Sequence, residues 1–340
     1  MSSSWDAACQ DGAWEPGACA IVLRMPPKAP VTVLVYHPDE TQAYARLVRA
    51  PRGRVRLRVA STPAEAMAHV EEMDVLYAWD FPPALLPHAK RLRWIQVMGA
   101  GVDRLLDAPF PPRVALTRAE GVFGPWMAEY TLGWLLWTTQ HMEAFRAAQR
   151  QRRWEPVNPT RLRGKTLGIV GLGSIGRAIA RVARAFEMHV VGVNRTGRRV
   201  PEATRVYPRA AFHEALAASD YVVLVVPLTP ETRGLVGEAE LRALRPEAWL
   251  VNIGRGSLIQ EEALVRALQE RWVAGAILDV FATEPLLPEH PFWGMPNVVV
   301  TPHISGPSDA AEITKIFNEN LRRFLEGRAL RGRVDLRRRY

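Results

Sequence analysis

Three polar side chains of complementary chemistry follow three apolar stretches in the C-terminal half of the chain. Arg255 follows "AWLVNIG", Glu284 follows "AGAILDVFAT", and His303 ends "NVVVTPH". In an open parallel sheet the carboxyl ends of the strands converge on one crevice, where ligands bind. We therefore expect an arginine, a carboxylate and an imidazole to share one pocket if these stretches are strands.

The three side chains suit hydride transfer to the carbonyl group of a 2-keto acid. Reduction adds a hydride to carbon and a proton to oxygen, and His303 can hold that proton near neutral pH. Glu284 beside it would favour the imidazolium and fix the ring. Arg255 would pair with the substrate carboxylate and polarise the ketone. Taken singly, they read as a surface ion pair and a capping histidine, but three consecutive strand ends favour catalysis.

A glycine-rich turn, "GIVGLGSIGRAIA", follows an apolar strand and opens a helix, which is the context that a dinucleotide-binding turn needs. Its first glycine allows the tight turn, its second leaves room for a pyrophosphate, and its third lets the helix approach the strand. The helix N-terminus supplies amide donors. The alternative is a plain strand–helix turn rich in glycine. The cofactor-binding residues predicted here are Gly171, Gly173, Ser174, Ile175 and Gly176.

The loop "NRTGRR" closes the next strand, where many dinucleotide-binding folds carry an acid that bonds the ribose 2′-hydroxyl of NAD. Here Asn194 is followed by Arg195, which offers a planar fork for a 2′-phosphate, and by Thr196, which offers a hydroxyl donor. The loop therefore predicts NADP(H) as the favoured cofactor, with NAD(H) second. A basic surface loop with mixed cofactor use is the alternative.

Composition and charge limit the classes of protein to which this chain could belong and the partners that it could bind. A chain of 340 residues predicts two domains, and 48% hydrophobic with 23% charged residues is ordinary for a soluble globular protein. The net charge is +9, but the arginines are scattered and no nucleic-acid-binding motif accompanies them, so we expect no nucleic-acid partner. The sequence lacks an 18-residue apolar run and a signal-peptide pattern, which predicts no membrane partner and a cytoplasmic location. Cys9 and Cys19 have no neighbouring histidines, so no metal site is predicted.

Strand-like and helix-like stretches alternate along most of the chain, which is typical of parallel α/β sheets. Residues 31–115 show the pattern first, and from Lys165 onward six apolar strands recur. One of the six, "DYVVLVVPL", has no polar interruption and should be central. Between the two regions, "GVFGPWMAEYTLGWLLWTTQHMEAF" predicts a helix so apolar that a domain core or a partner subunit must cover it.

The motifs "GIVGLGSIGRAIA", "VNIGRGSLI", "LDVFATEPL" and "NVVVTPHISG" together resemble the NAD(P)-dependent D-2-hydroxyacid dehydrogenase family over about residues 70–325. In that family the matching residues, here Arg255, Glu284 and His303, are catalytic. "NRT" resembles the NADP-preferring members, which include glyoxylate/hydroxypyruvate reductases. The resemblance implies an α/β fold of two Rossmann-like domains with parallel sheets, an active-site cleft between them, and a homodimer.

The resemblance also implies a discontinuous domain organisation and further site residues. The substrate-binding domain would be 31–117 plus 304–340, the dinucleotide-binding domain 118–303, and 1–30 a poorly ordered extension. Backbone N–H groups of Ala100 and Gly101 would bind the substrate carboxylate, together with Arg255 and His303. Tyr130 stands where many members carry His. The cofactor site would also include Pro227, Leu228, Thr232, Ile253, Gly254, Asp279 and Ser305.

Two alternatives to a 2-keto acid reductase remain at this point. Formate and phosphite dehydrogenases share the fold, and Glu284, where formate dehydrogenase typically has Gln, argues against formate only. A non-enzymatic NAD(H)-sensing corepressor is the rival of another class. The sequence favours reduction of a small 2-keto acid, similar to glyoxylate or hydroxypyruvate, to the D-2-hydroxy acid by NADPH.

Overall fold

The computed structural model describes residues 29–106 and 113–340. The predicted extension lies outside them except for its last two residues, as do both cysteines. The described residues form two compact units. Unit 1 contains 29–96, 113–117 and 314–334, and unit 2 contains 97–106, 118–313 and 335–340.

The units differ from the predicted domain ranges at two segments that matter for the site. Residues 97–106, which include the predicted substrate-binding turn, belong to unit 2 rather than to unit 1. Residues 304–313, which follow His303, also belong to unit 2. All of the predicted catalytic, cofactor-binding and substrate-binding residues therefore lie in one compact unit.

Unit 1 is built on a five-stranded sheet with the order β2-β1-β3-β4-β5. The second strand in this order, β1, pairs with β2 and β3 in parallel and is buried along its length. In its core Phe317 stacks on Tyr77 at 4.0 Å and on Trp94 at 5.2 Å between ring centroids. The strands are β1 Val31–Tyr36, β2 Val55–Ala60, β3 Val75–Ala78, β4 Trp94–Val97 and β5 Ala115–Thr117, and the helices are α1 Thr41–Leu47 and α2 Pro63–Met67.

Unit 2 is built on a seven-stranded sheet with the order β12-β11-β10-β9-β6-β7-β8, in which every neighbouring pair is parallel. The predicted central strand, β9, is the fourth of the seven and is buried along its length. The strands are β6 Thr166–Val170, β7 His189–Asn194, β8 Arg205–Pro208, β9 Tyr221–Leu224, β10 Trp249–Asn252, β11 Gly275–Leu278 and β12 Val298–Val300.

The number of strands predicted for this sheet was wrong by one. The missed strand, β8, is the short edge sequence "RVYP", in which only Tyr207 is buried. An edge strand this short and polar carries no alternating apolar signal.

Helices cover the sheet of unit 2. The long apolar segment was predicted as one helix, but it forms α4 and the start of α5, because the chain breaks at His141, which has φ +50°. In α4, Met127, Leu132 and Leu135 are buried, whereas Trp126 is 44% exposed. A methyl group on Gly124 would lie 2.9 Å from Cβ of Ala178, so α4 packs closely against α6. The helices of this unit are α3 Asp103–Leu106, α4 Phe123–Thr139, α5 Met142–Arg150, α6 Ser174–Ala185, α7 Phe212–Ala217, α8 Glu238–Ala243 and α9 Glu261–Gln269.

The C-terminal helix, α10 Ala310–Leu325, begins in unit 2 and belongs to unit 1 from Thr314 onward. Among the described residues, none of the helices has the length and apolar character required to cross a membrane.

Candidate active site

The loops that follow β10, β11 and β12 carry Arg255, Glu284 and His303, and these three strands are neighbours in the sheet of unit 2. Because all their pairings are parallel, the three loops leave the same edge of the sheet. The geometry brings His303 and Glu284 into contact. Arg255 instead pairs with an acid that the sequence did not single out.

His303 and Glu284 are joined by a hydrogen bond between their side chains. Nδ1 of His303 lies 2.9 Å from Oε2 of Glu284, and Oε1 of the same carboxylate accepts the amide N–H of Phe281 at 3.0 Å. Since a carboxylate only accepts hydrogen bonds, the proton of this contact is on Nδ1. The imidazole is half exposed, and its Nε2 is the nitrogen that can face a ligand.

The backbone of His303 is held in the left-handed region, with φ +54°. For a residue other than glycine this conformation costs on the order of 1 kcal/mol and persists only where the surroundings impose it. The amide of His303 donates to the carbonyl oxygens of Asp279 at 2.9 Å and Thr301 at 3.1 Å. The loop after β12 is therefore tied to the end of β11.

Asp279 is fully buried, and its carboxylate organises the same loop. Oδ1 accepts the hydroxyl of Thr301 at 2.6 Å and the amide of Ile304 at 2.9 Å, and Oδ2 accepts the amide of Ser305 at 2.9 Å. Three donors compensate the buried charge. Asp279 and Ser305 were predicted to bind the cofactor, and that role stays a prediction. In this structure the amide of Ser305 donates to the carboxylate of Asp279.

Arg255 forms a side-on ion pair with Asp103. Its Nε lies 3.1 Å and 3.3 Å from the two carboxylate oxygens, and its Nη2 lies 3.0 Å from Oδ1. Nη1 donates to the carbonyl oxygen of Gly254 at 2.8 Å. A guanidinium carries five N–H donors, and these contacts use three of them. Among the residues that the structure describes, none is recorded as accepting from the other two N–H donors, which suits an anionic ligand.

Asp103 was missed because a single acid after "GAGV" has no recognisable pattern. Asn252 was also missed, because a single asparagine at the end of an apolar strand has no recognisable pattern. Its buried side chain shapes the loop after β10, donating to the carbonyl oxygen of Arg255 at 2.9 Å and accepting the amide of Gly254 at 3.2 Å.

Gly101, predicted to bind the substrate carboxylate, lies against Arg255. A methyl group at this position would overlap Nη2 of Arg255. Ala100 is half-buried in the same turn. The predicted carboxylate-binding turn and the predicted carboxylate-binding arginine are therefore in direct contact.

The glycine-rich turn has the geometry that its sequence predicts. Gly171 has φ +109°, and a methyl group on it would lie 2.8 Å from the carbonyl oxygen of Val225. A methyl group on Gly176 would overlap the carbonyl oxygen of Gly171, so α6 approaches β6 closely. By contrast, the space beside Gly173 is open. Open space at the second glycine fits a pyrophosphate, and Ser174 and Ile175 begin α6 there.

The loop after β7 is folded around the side chain of Asn194. Its Oδ1 accepts the amides of Thr196 at 3.1 Å and Arg198 at 3.2 Å, and its Nδ2 donates to the carbonyl oxygen of Arg198 at 2.8 Å. The side chains of Arg195 and Thr196 are exposed. Asn194 therefore acts as the organiser of a turn that presents Arg195 to solvent.

Glu202 fastens the far end of this loop to α6. Its oxygens accept Nε of Arg177 at 3.0 Å and Nη1 of Arg181 at 3.1 Å. The hydrogen bond from Arg177 is the main reason that the pKa of Glu202 lies below its usual value, and the bond from Arg181 adds to it. Arg177 and Arg181 of α6 are thus paired with a carboxylate.

The remaining predicted cofactor residues line two loops at the same edge of the sheet. Thr232 closes the loop after β9, since its hydroxyl donates to the carbonyl oxygen of Pro227 at 2.7 Å. Leu228 is half-buried between them, and Ile253 is buried after β10. A methyl group on Gly254 would lie 2.8 Å from Cδ1 of Leu258.

Comparison with known proteins supplies independent evidence. The sequence model of "D-isomer specific 2-hydroxyacid dehydrogenase, NAD binding domain" matches residues 132–305. The chain is 36% identical to a glyoxylate reductase of Aeropyrum pernix, over 72% of this chain and 76% of the relative.

Two solved structures are similar along nearly the whole chain. The NADPH-dependent glyoxylate/hydroxypyruvate reductase of Sinorhizobium meliloti, in complex with NADP and sulfate, has a TM-score of 0.83 at 31% identity, covering 92% of this chain and 100% of its own. A D-isomer specific 2-hydroxyacid dehydrogenase of Xanthobacter autotrophicus, in complex with NADPH and MES, has a TM-score of 0.84 at 31% identity, with the same coverage.

Proposed function

Because this chain belongs to the D-isomer specific 2-hydroxyacid dehydrogenase family, we propose that it reduces glyoxylate, hydroxypyruvate or a similarly small 2-keto acid to the D-2-hydroxy acid, with NADPH preferred. The protein is an NAD(P)-dependent dehydrogenase with the α/β fold predicted from its sequence. The observation that carries the proposal is the contact of His303 with Glu284 at one edge of the sheet that carries the dinucleotide turn.

The bound nicotinamide cofactor supplies the hydride, and the side chains of this chain supply the proton and the charge. His303, with Nδ1 held by Glu284, directs Nε2 to the carbonyl oxygen and donates its proton there as the alkoxide forms. Glu284 stabilises the imidazolium before transfer. The two N–H groups of Arg255 that Asp103 and Gly254 leave available pair with the carboxylate and polarise the ketone.

The preference for NADPH is supported by the loop after β7 and by the relatives. Asn194 occupies the place of the usual acid and folds the loop so that Arg195 and Thr196 are exposed. An arginine and a hydroxyl suit a 2′-phosphate, and no carboxylate at position 194 repels it. The solved structures named above carry NADP or NADPH.

We also propose that the protein forms a homodimer. A cytoplasmic location stays a prediction from the sequence. Trp126 of α4 and Met142 and Phe145 of α5 are each between 41% and 44% exposed. Large apolar side chains exposed on two consecutive helices would be covered if another subunit packed there.

The test is a substrate panel on the full-length protein. Glyoxylate, hydroxypyruvate, pyruvate and longer 2-keto acids are each assayed with NADPH and with NADH, and the configuration of the product is determined by chiral chromatography. We expect the highest kcat/KM for a two- or three-carbon acid with NADPH, and a D product wherever the product is chiral.

Three outcomes would contradict the proposal. Cofactor binding without turnover of any acid would indicate a sensing protein rather than a reductase. Oxidation of phosphite by NADP⁺ in the absence of keto acid reduction would indicate a different small anion. Preference for a long-chain keto acid would refute the proposal that the substrate is small.

A further inference from the structure

Tyr130 is the first member of a chain of hydrogen bonds that ends on the buried carboxylate of Asp279. Its hydroxyl lies 2.6 Å from Oγ1 of Thr301, and the same Oγ1 lies 2.6 Å from Oδ1 of Asp279. The three residues come from α4, the loop after β12 and the end of β11. All three belong to unit 2.

The direction of this chain follows from the chemistry of its members. A carboxylate only accepts, so the single hydrogen of the Thr301 hydroxyl is donated to Asp279. The hydroxyl of Tyr130 must therefore donate to Thr301. Burial raises the pKa of the Tyr130 phenol far above its usual value, and the charge of Asp279 raises it further, so the donor keeps its proton.

Asp279 is also the residue around which the loop carrying His303 is wrapped. The amides of His303, Ile304 and Ser305 all donate to Asp279, the first to its main-chain carbonyl and the other two to its carboxylate. The left-handed backbone of His303 is kept in place by these bonds. Any rotation of the carboxylate would therefore move the backbone from which the imidazole projects.

We propose that Tyr130 is a positioning residue for His303, acting through Thr301 and Asp279. Its hydroxyl fixes the rotamer of Thr301, Thr301 fixes the carboxylate of Asp279, and the carboxylate fixes the loop. Tyr130 donates to Thr301 and makes no contact with Glu284 in the described part of the chain. The inference rests on the proposed function, in which His303 donates the proton.

The variants that test this role are Tyr130→Phe, Thr301→Val and the two combined, with Thr301→Ser as the matched control. Phe keeps the ring that packs edge-on against Trp134 at 6.2 Å and removes the hydroxyl, which donates to Thr301 and also hydrogen-bonds the side chain of Trp134. Val keeps the shape of threonine and removes the relay, whereas Ser retains the hydroxyl. Each full-length variant is assayed for kcat and KM with glyoxylate, for NADPH dissociation by fluorescence, and for the pH profile of kcat.

We expect Tyr130→Phe to lower kcat roughly threefold to tenfold, the range of one neutral hydrogen bond. Thr301→Val should lower kcat about tenfold to a hundredfold, since it leaves a buried carboxylate short of a donor. The double variant should lose no more than Thr301→Val alone, because the phenol acts through the threonine. NADPH dissociation and the Thr301→Ser variant should stay close to wild type.

The pH profile separates positioning from general destabilisation. If the loop shifts, the 2.9 Å contact of His303 with Glu284 is lost, and the pH dependence of kcat should differ from that of the wild type. A merely structural role for Tyr130 would lower thermal stability without changing this dependence.

Wild-type kcat and pH profile in Tyr130→Phe, or fully additive losses in the double variant, would overturn the inference. If Thr301→Val fails to fold, Tyr130→Phe and its pH profile decide alone. His303→Ala separates a failure of the proposed function from a failure of the role of Tyr130. If His303→Ala keeps its activity, the proposed function is refuted. If His303→Ala loses activity but Tyr130→Phe keeps it, only the role of Tyr130 is refuted.

Discussion

Arg255 lies directly against the main chain of Gly101, so closely that the position has no room for a β-carbon. Asp103, two residues further along the turn, forms a side-on ion pair with the same arginine. The turn that was predicted to bind the substrate carboxylate thus also sets the position of the guanidinium.

The first prediction is that Gly101→Ala lowers kcat/KM for the keto acid by about a hundredfold, as a displacement of roughly 1 Å of a positioning group does. The added methyl forces Arg255 out of its place. Gly133→Ala is the matched control, since a methyl group there meets open space. Steady-state kinetics and NADPH titration check the result. An unchanged kcat/KM in Gly101→Ala would contradict the role of Arg255 at the substrate.

The second prediction concerns the proton donor. His303→Ala should lower kcat by roughly two to four decades while NADPH still binds, as removal of a general acid does. Turnover near wild type in the purified variant would refute the role.

A third prediction tests the partner of that histidine. Glu284→Gln keeps the shape of the side chain but removes the charge 2.9 Å from Nδ1. We expect kcat to fall and its pH dependence to differ from that of the wild type, because the imidazole loses its charged partner. An unchanged pH dependence would mean that Glu284 only orients the ring.

The fourth prediction addresses the loop after β7. Arg195→Ala should lower kcat/KM with NADPH by about one to two decades, the range of a hydrogen bond to a charged group. Kinetics with NADH should change little, because NADH has no 2′-phosphate. Arg163→Ala, an exposed arginine paired with Glu187 before β6, is the matched control. Equal losses with both cofactors, or an NADH-preferring wild type, would show that the loop is only basic.

Asn194→Asp should move the preference toward NADH, since a carboxylate repels the 2′-phosphate and can accept from the ribose hydroxyls. The structure adds a second effect. The amide of Asn194 donates to the carbonyl oxygen of Arg198, and an aspartate there cannot. We therefore expect kcat/KM with NADPH to fall further than in Arg195→Ala.

The fifth prediction is a pH dependence of stability. The pKa of Glu202 is lower in the folded protein than its ordinary value of 4.5, chiefly through Arg177. A depressed carboxyl pKa stabilises the fold above the unfolded value, and this stabilisation is lost as pH falls through the folded value. The Tm advantage of the wild type over Glu202→Gln should therefore shrink as the pH is lowered below about 4.5. Circular dichroism melts check it, with the exposed Glu143→Gln as control. A constant difference in Tm down to acid pH would contradict the assignment.

The strand ends, the glycine turn and the central strand were predicted from the sequence because their signals are local. Apolar runs define strands, and the residue types that follow them need no distant partner to be recognised. Gly171 and Gly176 could be assigned in the same way, because the turn needs a positive φ at Gly171 and leaves no room for a side chain between Gly176 and the carbonyl oxygen of Gly171. The polar edge strand β8 was missed because its signal is absent locally.

The contacts that place the candidate site depend on tertiary structure alone. Arg255 and Asp103 are 152 positions apart, and Tyr130 and Thr301 are 171 positions apart. A lone acid after a turn, or a tyrosine on an apolar helix, has the same local pattern whether or not a partner exists. Only the parallel order of the sheet and the packing of α4 bring these groups within hydrogen-bonding distance. The sequence by itself thus determined which side chains could do the chemistry, and the fold decided which neighbours hold them in place, because hydrogen bonds are formed across space rather than along the chain.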